Sequence, residues 1–563
     1  MVQWRTAWIP SNSLACLYGL TEDLIAQNAL GDGVEVVIHA YDETNTTIPV
    51  RKIVKRIQHS GGLVCMTGVQ SNQFPRAMDL ARRFRRHQVP VVIGGFHVSG
   101  CIAMLPDLPD DLKEALDLGM SLFAGEAEQR LGELFADALH GRMKPVYNFM
   151  KDLPGLEGQP APVLPVPMLR KYAGSCSSFD AGRGCPFQCS FCTIINVQGR
   201  TSRYRSPDDI EQMIRAYVGR GITRFFITDD DFARNQNWEA IFDRLAELRV
   251  ALNCKLNFII QVDTLCHKIP NFVQKAQQAG VSRVFIGLEN INPDNLMAAG
   301  KRQNRITEYR SMLLAWRAQG IITIAGYILG FPNDTPESIV ADIKIIKREL
   351  PIDILEFFCL TPLPGSQDHQ KLHTEGVWMD PDMNIYDVEH VTTHHPRMSK
   401  QQWQSIYRRA WDVYYTMDHV ETIMRRGAAT GIHPNHILHH VLQYHGTVKY
   451  ENVHSLQGGY LRRKVRTERR PNLPRENPLV FYPRRAWQIV WTHTRLGIYA
   501  FRLWRLYKKV KTNPARLNYT DEAITLVVEP EQEHLEMFEH TEAARAAVQR
   551  ARVRSGSERP VAV

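Results

Sequence analysis

Residues 184–192 read Gly-Cys-Pro-Phe-Gln-Cys-Ser-Phe-Cys, and this stretch decides how the rest of the sequence is interpreted. It holds three of the ten cysteines of the chain: Cys185, Cys189 and Cys192. Thiolates are soft ligands that hold iron–sulfur clusters, and a tight loop lets three of them reach one cluster. Three cysteines leave one iron of such a cluster open, and an open metal position is typical of a catalytic site.

A structural zinc site and a chance grouping are the two alternatives to a cluster at these cysteines. Zinc sites usually use four ligands in paired C-x2-C spacing, and no second pair follows residue 192. Composition alone gives roughly three such triples in a thousand chains of this kind. The N-terminus has no signal-peptide pattern, so we expect a reducing cytoplasm, where a tight cysteine group indicates metal or catalysis rather than disulfides.

The cysteines lie just after the first strand of an alternating strand–helix block. Short apolar runs rich in β-branched residues predict strands at 178–182, 223–229, 256–263, 283–289, 323–331 and 354–360. Ser206-Pro207 and Thr335-Pro336 predict helix starts between them. The fold class is therefore α/β, with a central partial (β/α)6 barrel over 172–375 and an active site at the carboxyl ends of its strands.

A second alternating block precedes the barrel, over residues 1–150. Its predicted strands are 35–43, 62–70, 89–97 and 121–126, and 74–88 predicts a helix between them. This alternation predicts an N-terminal doubly wound parallel sheet, in which ligands bind beyond the carboxyl ends of the strands. Those ends carry Gln70, Ser71, Gly94, Gly95, His97, Gly125 and Glu126.

The remaining segments differ from these two blocks in composition. Residues 151–171 are rich in proline and predict a linker. Residues 376–510 predict a helical C-terminal region, and 511–563 a polar, partly disordered tail. No uncharged apolar run is long enough to span a bilayer, and the net charge of +9 is only a mild indication of an anionic partner.

Residues 484–509 combine a basic stripe with aromatic and aliphatic side chains. The stripe consists of Arg484, Arg495, Arg502, Arg505 and Lys509. This composition suits a helix lying in a membrane interface; the alternative is a helix packed on the barrel, with its arginines reaching water. A basic run at 462–470 favours an anionic surface, so we expect peripheral contact with the inner membrane surface. No RNA-binding module is recognisable, and we expect no nucleic-acid partner.

The cysteine loop and the strand-end motifs together resemble the radical S-adenosylmethionine (SAM) superfamily. The C-x3-C-x2-C spacing with Phe191 before the last cysteine is its signature, and 228–232, 287–289, 330–335 and 361–366 match further motifs. The resemblance implies that the three cysteines hold a [4Fe–4S] cluster whose open iron binds SAM. An electron donor such as flavodoxin or ferredoxin then allows cleavage of SAM to a 5′-deoxyadenosyl radical. The SAM contacts implied by the resemblance are Phe191, Asp229, Asp230, Glu289, Gly330 and Pro362.

The N-terminal motifs at 91–97 and 125–128 resemble the cobalamin-binding domain that precedes many radical SAM enzymes. The resemblance implies that the strand-end residues from Gln70 to Glu126 surround cobalamin. The D-x-H-x-x-G motif, whose histidine binds cobalt, is missing. The lower axial ligand is therefore unassigned, and we expect His97 to be a structural residue. A Rossmann-like domain that binds no ligand is the alternative.

Three functions fit this layout. The first is a cobalamin-dependent methyltransferase acting on an unactivated carbon of a hydrophobic or lipid-like substrate. The second is a radical SAM oxidoreductase or oxidative cyclase with the same domains. The third is a non-catalytic cobalamin-binding sensor, and the cysteine triple argues against it. Products separate the first two, because the methyltransferase releases S-adenosylhomocysteine besides 5′-deoxyadenosine, whereas the oxidoreductase releases 5′-deoxyadenosine alone.

Overall fold

A computed structural model describes residues 2–471, 473–525 and 534–555 of the chain. Two parallel sheets form its centre, one of four strands and one of six, and a helical region covers the second of them. Within the described residues, no helix is both long and apolar enough to cross a membrane.

The N-terminal part alternates strands and helices, as the sequence predicts. Its elements are β1 (Gln3–Ala7), α1 (Asn12–Ala26), α2 (Val50–Ser60), β2 (Val64–Met66), α3 (Phe74–Arg85), β3 (Val91–Gly94), α4 (Phe96–Met104), α5 (Asp110–Asp117), β4 (Ser121–Ala124), α6 (Leu131–Leu139) and β5 (Val146–Asn148). The sheet is parallel, with strand order β2-β3-β4-β5.

Helices cover both faces of this sheet. Because successive side chains of a strand point to opposite faces, Ile93 packs with Phe74 of α3 on one face. Val92 packs with Leu20 of α1 and Leu131 of α6 on the other face. The predicted parallel sheet buried between helices is confirmed.

The predicted strand at 35–43 is wrong. Residues 34–42 form no helix or strand, and they pair with no described strand. The side chains of residues 34–40 alternate between half-buried and exposed, and Val37 is 64% exposed. The alternating burial fits a surface segment with one face against the protein, and such a segment can have this composition without belonging to a sheet.

The predicted barrel follows the N-terminal sheet. Residues 151–165 form no helix or strand, as expected for the predicted linker, whose boundaries at 151 and 171 stay predictions. The elements that follow are α7 (Val166–Leu169), β6 (Cys176–Phe179), β7 (Gly182–Arg183), α8 (Ile194–Val197), β8 (Arg203–Tyr204), α9 (Pro207–Val218), β9 (Arg224–Ile227), α10 (Trp238–Ala251), β10 (Asn257–Val262), α11 (Phe272–Ala279), β11 (Val281–Glu289), α12 (Pro293–Ala298), α13 (Ile306–Ala318), β12 (Ile322–Leu329), α14 (Pro336–Glu349), β13 (Ile354–Cys359) and α15 (Gln367–Thr374).

Six parallel strands in the order β13-β12-β11-β10-β9-β6 form this sheet. Each corresponds to one predicted strand, so the predicted partial barrel is confirmed. The two predicted helix starts are also found. The side chains of Ser206 and Thr335 accept hydrogen bonds of 3.1 Å from the backbone N–H groups of Asp209 and Ser338.

The C-terminal region is mainly helical, as predicted. Its elements are α16 (Lys400–Tyr414), α17 (Met417–Ala429), α18 (Pro434–Gly446), β14 (Gly459–Arg463), α19 (Pro478–Thr512), α20 (Glu536–Glu539) and α21 (Glu542–Ser555). Strand β14 pairs antiparallel with β1, so that Gln3 lies opposite Arg463. The first strand of the chain is therefore held by the C-terminal region rather than by the N-terminal sheet.

Part of the predicted tail packs on the barrel. Met537 and Phe538 are buried, and the Glu349 carboxylate at the end of α14 accepts hydrogen bonds from the backbone of Glu536 and Met537. Disorder is predicted for the last stretch, 552–563; residues 552–555 belong instead to helix α21, and 556–563 lie outside the described residues.

Candidate active site

The cysteine loop connects β7 to α8 at the carboxyl end of the first barrel strand. Gly184 opens it with φ +91°, and a Cβ there would lie 2.5 Å from the carbonyl oxygen of Thr201, so this turn requires glycine. The backbone N–H of Cys185 donates to the Gly199 carbonyl (3.2 Å), and that of Ser190 donates to the Ala299 carbonyl (2.9 Å). The loop is thus fixed on both sides.

Cys189 is buried, and Cys185 and Cys192 are half-buried. Burial raises the pKa of Cys185 and of Cys192 to about 12, and neighbouring thiols add to both shifts. A single zinc ion would draw its sulfur ligands to about 2.3 Å from one centre. Among the described residues, Asp387, Glu389 and His390 are the only three or more His, Cys, Asp or Glu residues whose ligand atoms all lie within 4.8 Å of one another.

An ion pair lies beside the cysteine loop. The ammonium nitrogen of Lys301 is 2.5 Å from Oε1 of Glu289, and it lies 5.7 Å from the ring centre of Phe191. Burial lowers the pKa of Lys301, but Glu289 and the cysteines outweigh this effect and raise it above its usual value. The structure therefore brings two predicted SAM contacts, Phe191 and Glu289, to the cysteines, and adds Lys301, which the sequence did not indicate.

Asp229 and Asp230 follow strand β9. The Asp229 carboxylate accepts hydrogen bonds of 2.7 Å from the backbone of Ala181 and Gly182 and one of 2.9 Å from Asn235. It therefore ties the ends of two strands together. Asp230 is half-buried and contributes to the raised pKa of Cys192. Burial raises the pKa of both aspartates to about 7. Their contact with SAM stays a prediction.

Gly330 and Pro362 follow the fifth and sixth strands of the barrel. Gly330 has φ +107°, and the Trp403 ring of α16 occupies the position where its Cβ would lie. The indole N–H of Trp403 donates to the Leu329 carbonyl at 3.0 Å. Gly330 is thus required for this packing, and Pro362 is buried next along the sheet. Their contact with SAM stays a prediction.

The loop between α12 and α13 contributes residues that the sequence patterns did not indicate. Gln303 is buried, and its side-chain amide donates to Sγ of Cys189 at 3.5 Å. A Cβ at Gly300 would lie 2.6 Å from the Gln188 carbonyl, so this loop runs directly against the cysteine loop. The sequence does show a turn here, Ala-Gly-Lys at 299–301, which could have pointed to this loop. However, the turn follows a helix, whereas the ligand-binding residues of a barrel are expected after its strands.

A cavity of about 170 Å³ lies at the carboxyl ends of the N-terminal strands. Four predicted cobalamin residues line it: Gly94, Gly95, Gly125 and Glu126. Apolar side chains of α1, β4 and α6 form a wall, consisting of Leu17, Leu20, Phe123, Leu131 and Leu134. Val197 and Gln198, which follow the cysteine loop, form part of the opposite side. The cavity therefore adjoins the cysteine site.

The lining of this cavity fits a flat, largely apolar macrocycle. Glycines at strand ends let such a ring approach the backbone, and Gly95 and Gly125 have φ of +142° and +103°, where other residues are strained. Pockets for drug-sized ligands measure about 300–1,000 Å³. The cavity must therefore widen to admit a corrin. One side belongs to the N-terminal sheet and the other to the barrel.

The other predicted cobalamin residues do not line this cavity. His97 is fully buried, with Nδ1 3.2 Å from Oγ of Ser71 and Nε2 2.9 Å from the Asp111 carboxylate. Its ring lies 4.4 Å from that of Phe74. The expected structural role of His97 agrees with these contacts. Gln70 is exposed and caps a short turn at 71–73.

A buried ionic cluster joins the N-terminal sheet to the barrel beside the cavity. The Arg183 guanidinium lies 2.7 Å from the carboxylates of Glu126 and Glu128 and 3.2 Å from that of Asp180. Arg203 also pairs with Glu126. Burial would raise the pKa of Asp180, but Arg183 and a further arginine lower it to about 2. Glu126 is thus held in ion pairs, and its predicted contact with cobalamin stays a prediction.

Residues 181–346 match the family described as the radical SAM superfamily. The chain is 29% identical to a bacteriochlorophyllide d C-12(1)-methyltransferase of Chlorobaculum tepidum, over 53% of this chain and 63% of that protein. It is 24% identical to a hopanoid C-2 methylase of Rhodopseudomonas palustris, over 63% of this chain and 66% of that protein. The chain thus spans less than two thirds of the length of either relative.

The fold resembles that of the radical SAM methyltransferase TsrM from Kitasatospora setae, solved with cobalamin and a [4Fe–4S] cluster bound. The TM-score is 0.56 at 16% identity, over 73% of this chain and 88% of that one. This similarity concerns the fold.

Proposed function

We propose that this chain, whose residues 181–346 form a radical SAM domain, is a cobalamin-dependent methyltransferase acting on an unactivated carbon of a hydrophobic or lipid-like substrate. One observation carries the proposal. The segment that follows the cysteine loop, Val197 and Gln198, lines the glycine-edged cavity of the N-terminal sheet. A cluster on the cysteines and a macrocycle in the cavity would therefore lie next to each other.

The chain supplies the residues for both cofactors. Cys185, Cys189 and Cys192 would hold a [4Fe–4S] cluster, and Gly94, Gly95 and Gly125 would lie against a corrin. When bound, the cluster supplies the electron that cleaves SAM, and cobalamin carries the methyl group. Overall, a C–H bond becomes C–CH3. One SAM gives its methyl and leaves as S-adenosylhomocysteine, and a second gives methionine and 5′-deoxyadenosine. A donor such as flavodoxin or ferredoxin provides two electrons.

The protein side chains around the site have separate roles in this proposal. Lys301 holds Glu289 beside the cysteine loop, so that this carboxylate is oriented before SAM enters. Leu17, Leu20 and Phe123 exclude water from one side of the cavity. Arg183 ties the N-terminal sheet to the barrel and so fixes the distance between the two cofactor positions.

Two considerations support a hydrophobic substrate. The similar proteins are named for a hopanoid and for a bacteriochlorophyllide. The predicted membrane contact of residues 484–509 belongs to the same proposal, because an enzyme held at a bilayer is close to a lipid-like substrate. A location on the cytoplasmic side of that membrane stays a prediction.

The test uses the full-length chain, reconstituted anaerobically with iron and sulfide and incubated with cobalamin, a reductant and trideuteromethyl-labelled SAM. Lipid extract of the native organism serves as substrate. We expect S-adenosylhomocysteine and 5′-deoxyadenosine together, and a lipid heavier by one CD3 group. Formation of 5′-deoxyadenosine alone would show oxidoreductase chemistry instead. The Cys189→Ala variant should give neither product.

Cobalamin binding is tested separately, by absorbance of the protein purified from cells supplied with cobalamin. Cys65 lines the cavity, so Cys65→Phe should fill it and reduce the cobalamin retained at least tenfold. Cys254→Phe places the same bulk on the outside of the barrel, after α10, and should retain cobalamin. Equal retention by both variants would place the binding site elsewhere.

A further inference from the structure

Helix α19 (Pro478–Thr512) packs on the protein along one stripe only. Tyr499, Leu503 and Val510 are buried on α17 and α18. The Tyr499 hydroxyl also lies 2.7 Å from Nδ1 of His445 in α18. Their spacing of four and seven residues keeps them on one face of a helix. The other faces of this long helix are therefore open to a partner.

The opposite face carries large apolar side chains that are exposed. Trp487 is 65%, Trp491 52% and Phe501 57% exposed, and Val480, Val490 and Ile498 are exposed as well. At 3.6 residues per turn these positions fall on one side of the helix, away from the buried stripe. Isolated exposed apolar residues are ordinary, but a contiguous patch of this kind marks an interaction surface.

Basic residues flank the apolar face. The helix contains eight Lys and Arg and no Asp or Glu, so its formal charge is +8, against +9 for the whole chain. Arg502 and Arg505 form no ion pair with any carboxylate of the described residues. Arg495 lies 5.2 Å from the ring centre of Tyr450, and Lys508 5.4 Å from that of Trp504. Arg484 and Lys509 pair with Glu476 and Glu421, whereas Arg502 and Arg505 remain available beside the aromatic face.

We propose that this face of α19 binds peripherally to a membrane surface that contains anionic lipids. Tryptophan side chains favour the boundary between headgroups and acyl chains, and flanking arginines attract anionic headgroups. The tryptophans and the arginines of α19 lie together on one exposed face. The sequence alone did not show which way this face points; in the structure it points away from the rest of the protein. The inference does not require the proposed methyltransferase activity.

Docking through this face would also orient the molecule. Phe481, Arg484 and Arg485, in the first turns of α19, line a cleft of about 2290 Å³. The same cleft reaches Pro364, just beyond the sixth barrel strand, and Asn72, beyond strand β2 of the N-terminal sheet. The cleft therefore extends from the first turns of α19 to the strand ends of both sheets.

The test is co-sedimentation of the full-length protein with vesicles. One set contains phosphatidylcholine and phosphatidylglycerol in equal amounts, and the other contains phosphatidylcholine alone, at 0.1 M and 0.5 M salt. We expect strong binding to the anionic vesicles at low salt and at least tenfold weaker binding at high salt. The variant Arg502→Gln/Arg505→Gln should bind about thirtyfold more weakly, as expected for the loss of two charges at an anionic leaflet.

Matched variants separate this surface from the rest of the protein. Trp487→Ser/Trp491→Ser should lose vesicle binding at least tenfold, whereas Trp378→Ser, at an exposed tryptophan elsewhere, should not. Arg220→Gln/Lys255→Gln removes two exposed charges on the barrel and should bind like the parent protein. Equal or negligible binding to both vesicle types would overturn the proposal. So would a dimer that the Trp487→Ser/Trp491→Ser variant dissolves, because the face would then be an interface between two copies.

Discussion

The ammonium group of Lys301 lies 2.5 Å from the carboxylate of Glu289, and both side chains are only 11% exposed. The pair stands at the junction of strand β11 with the cysteine loop. Glu289 adopts φ +64°, which is rare for a residue with a side chain, so its position is held by the surrounding structure. Removing one partner would leave a buried charge without compensation.

We predict that Lys301→Met lowers the free energy of unfolding by about 3–5 kcal/mol, because Glu289 would remain buried and unpaired. The double variant Lys301→Met/Glu289→Gln should recover most of this loss. Lys275→Met, which removes an ion pair between α11 and α10 at the surface, should cost less than about 1 kcal/mol. Anaerobic urea unfolding measures all three. Additive losses in the double variant would contradict a coupled pair.

The cluster prediction rests on the three cysteines of the loop. Anaerobically reconstituted protein should bind about four irons and four sulfides, as thiolate-ligated clusters do. Replacing Cys185, Cys189 and Cys192 by alanine should reduce iron to background and abolish SAM cleavage. Cys254→Ala, at a half-exposed cysteine on the outside of the barrel, should retain both. Bound zinc without iron–sulfur absorbance would contradict the prediction.

The ionic cluster around Arg183 predicts a large stability loss in Arg183→Met. Glu126, Glu128 and Asp180 would lose a buried partner, which costs about 3–5 kcal/mol. Because Asp180 has its pKa lowered to about 2, its stabilising effect is present above pH 4 and is lost as pH falls towards 2. The free energy of unfolding of Arg183→Met should therefore fall less between pH 4 and pH 2 than that of the parent protein.

Arg215→Met provides the control for that prediction, because Arg215 forms an exposed pair with Glu211 within one helix. It should cost less than about 1 kcal/mol. Urea unfolding between pH 3 and pH 7 measures both the loss of stability and its pH dependence in each variant. A similar loss in the two variants would show that the cluster adds nothing beyond a surface pair.

The carboxyl group of Glu356, on strand β13, predicts that the free energy of unfolding falls as the pH rises. This effect is opposite in direction to that of Asp180. Burial raises its pKa from 4.5 to about 7, and Oε2 has no hydrogen-bond partner among the described residues. A carboxyl group with a raised folded-state pKa lowers stability as pH rises from 4.5 to 7, because the unfolded chain loses the proton first. Glu356→Gln should remove this decline and be more stable at pH 8 by roughly 2–3 kcal/mol.

The measurement for Glu356 is the pH dependence of urea unfolding in both proteins. Glu157→Gln, at an exposed glutamate in the linker, should follow the parent at every pH. Identical curves for Glu356→Gln and the parent would mean that Glu356 ionises freely in the folded state.

The two sheets were predictable from the sequence because each strand has its own local pattern. Buried parallel strands are continuous apolar runs, and Val91, Ile286 and Leu355 lie in such runs. The failure at 35–43 has the same origin, because a surface segment with one face against the protein shows the same composition. A local pattern cannot tell whether an extended segment finds a hydrogen-bonded neighbour.

The site was predictable where its residues follow strands and not where they come from elsewhere. The cysteine spacing is local, so it was readable directly. Lys301 and Gln303 reach the cysteines from a loop that follows a helix. The partners of Arg183 come from the N-terminal sheet and from the barrel, and no local pattern connects them. Contacts between distant segments depend on how the two sheets are placed together.

The pairing of β1 with β14 has a consequence for the order of events during synthesis. Gln3 leaves the ribosome before either sheet, but its partner Arg463 is made only after the whole barrel. At about 5–20 residues per second, the first strand waits on the order of half a minute or longer. During this time its edge and the indole of Trp4, which is 1% exposed in the finished fold, are uncovered. In the nascent chain this strand edge therefore stays unpaired with β14 until the C-terminal region has been made.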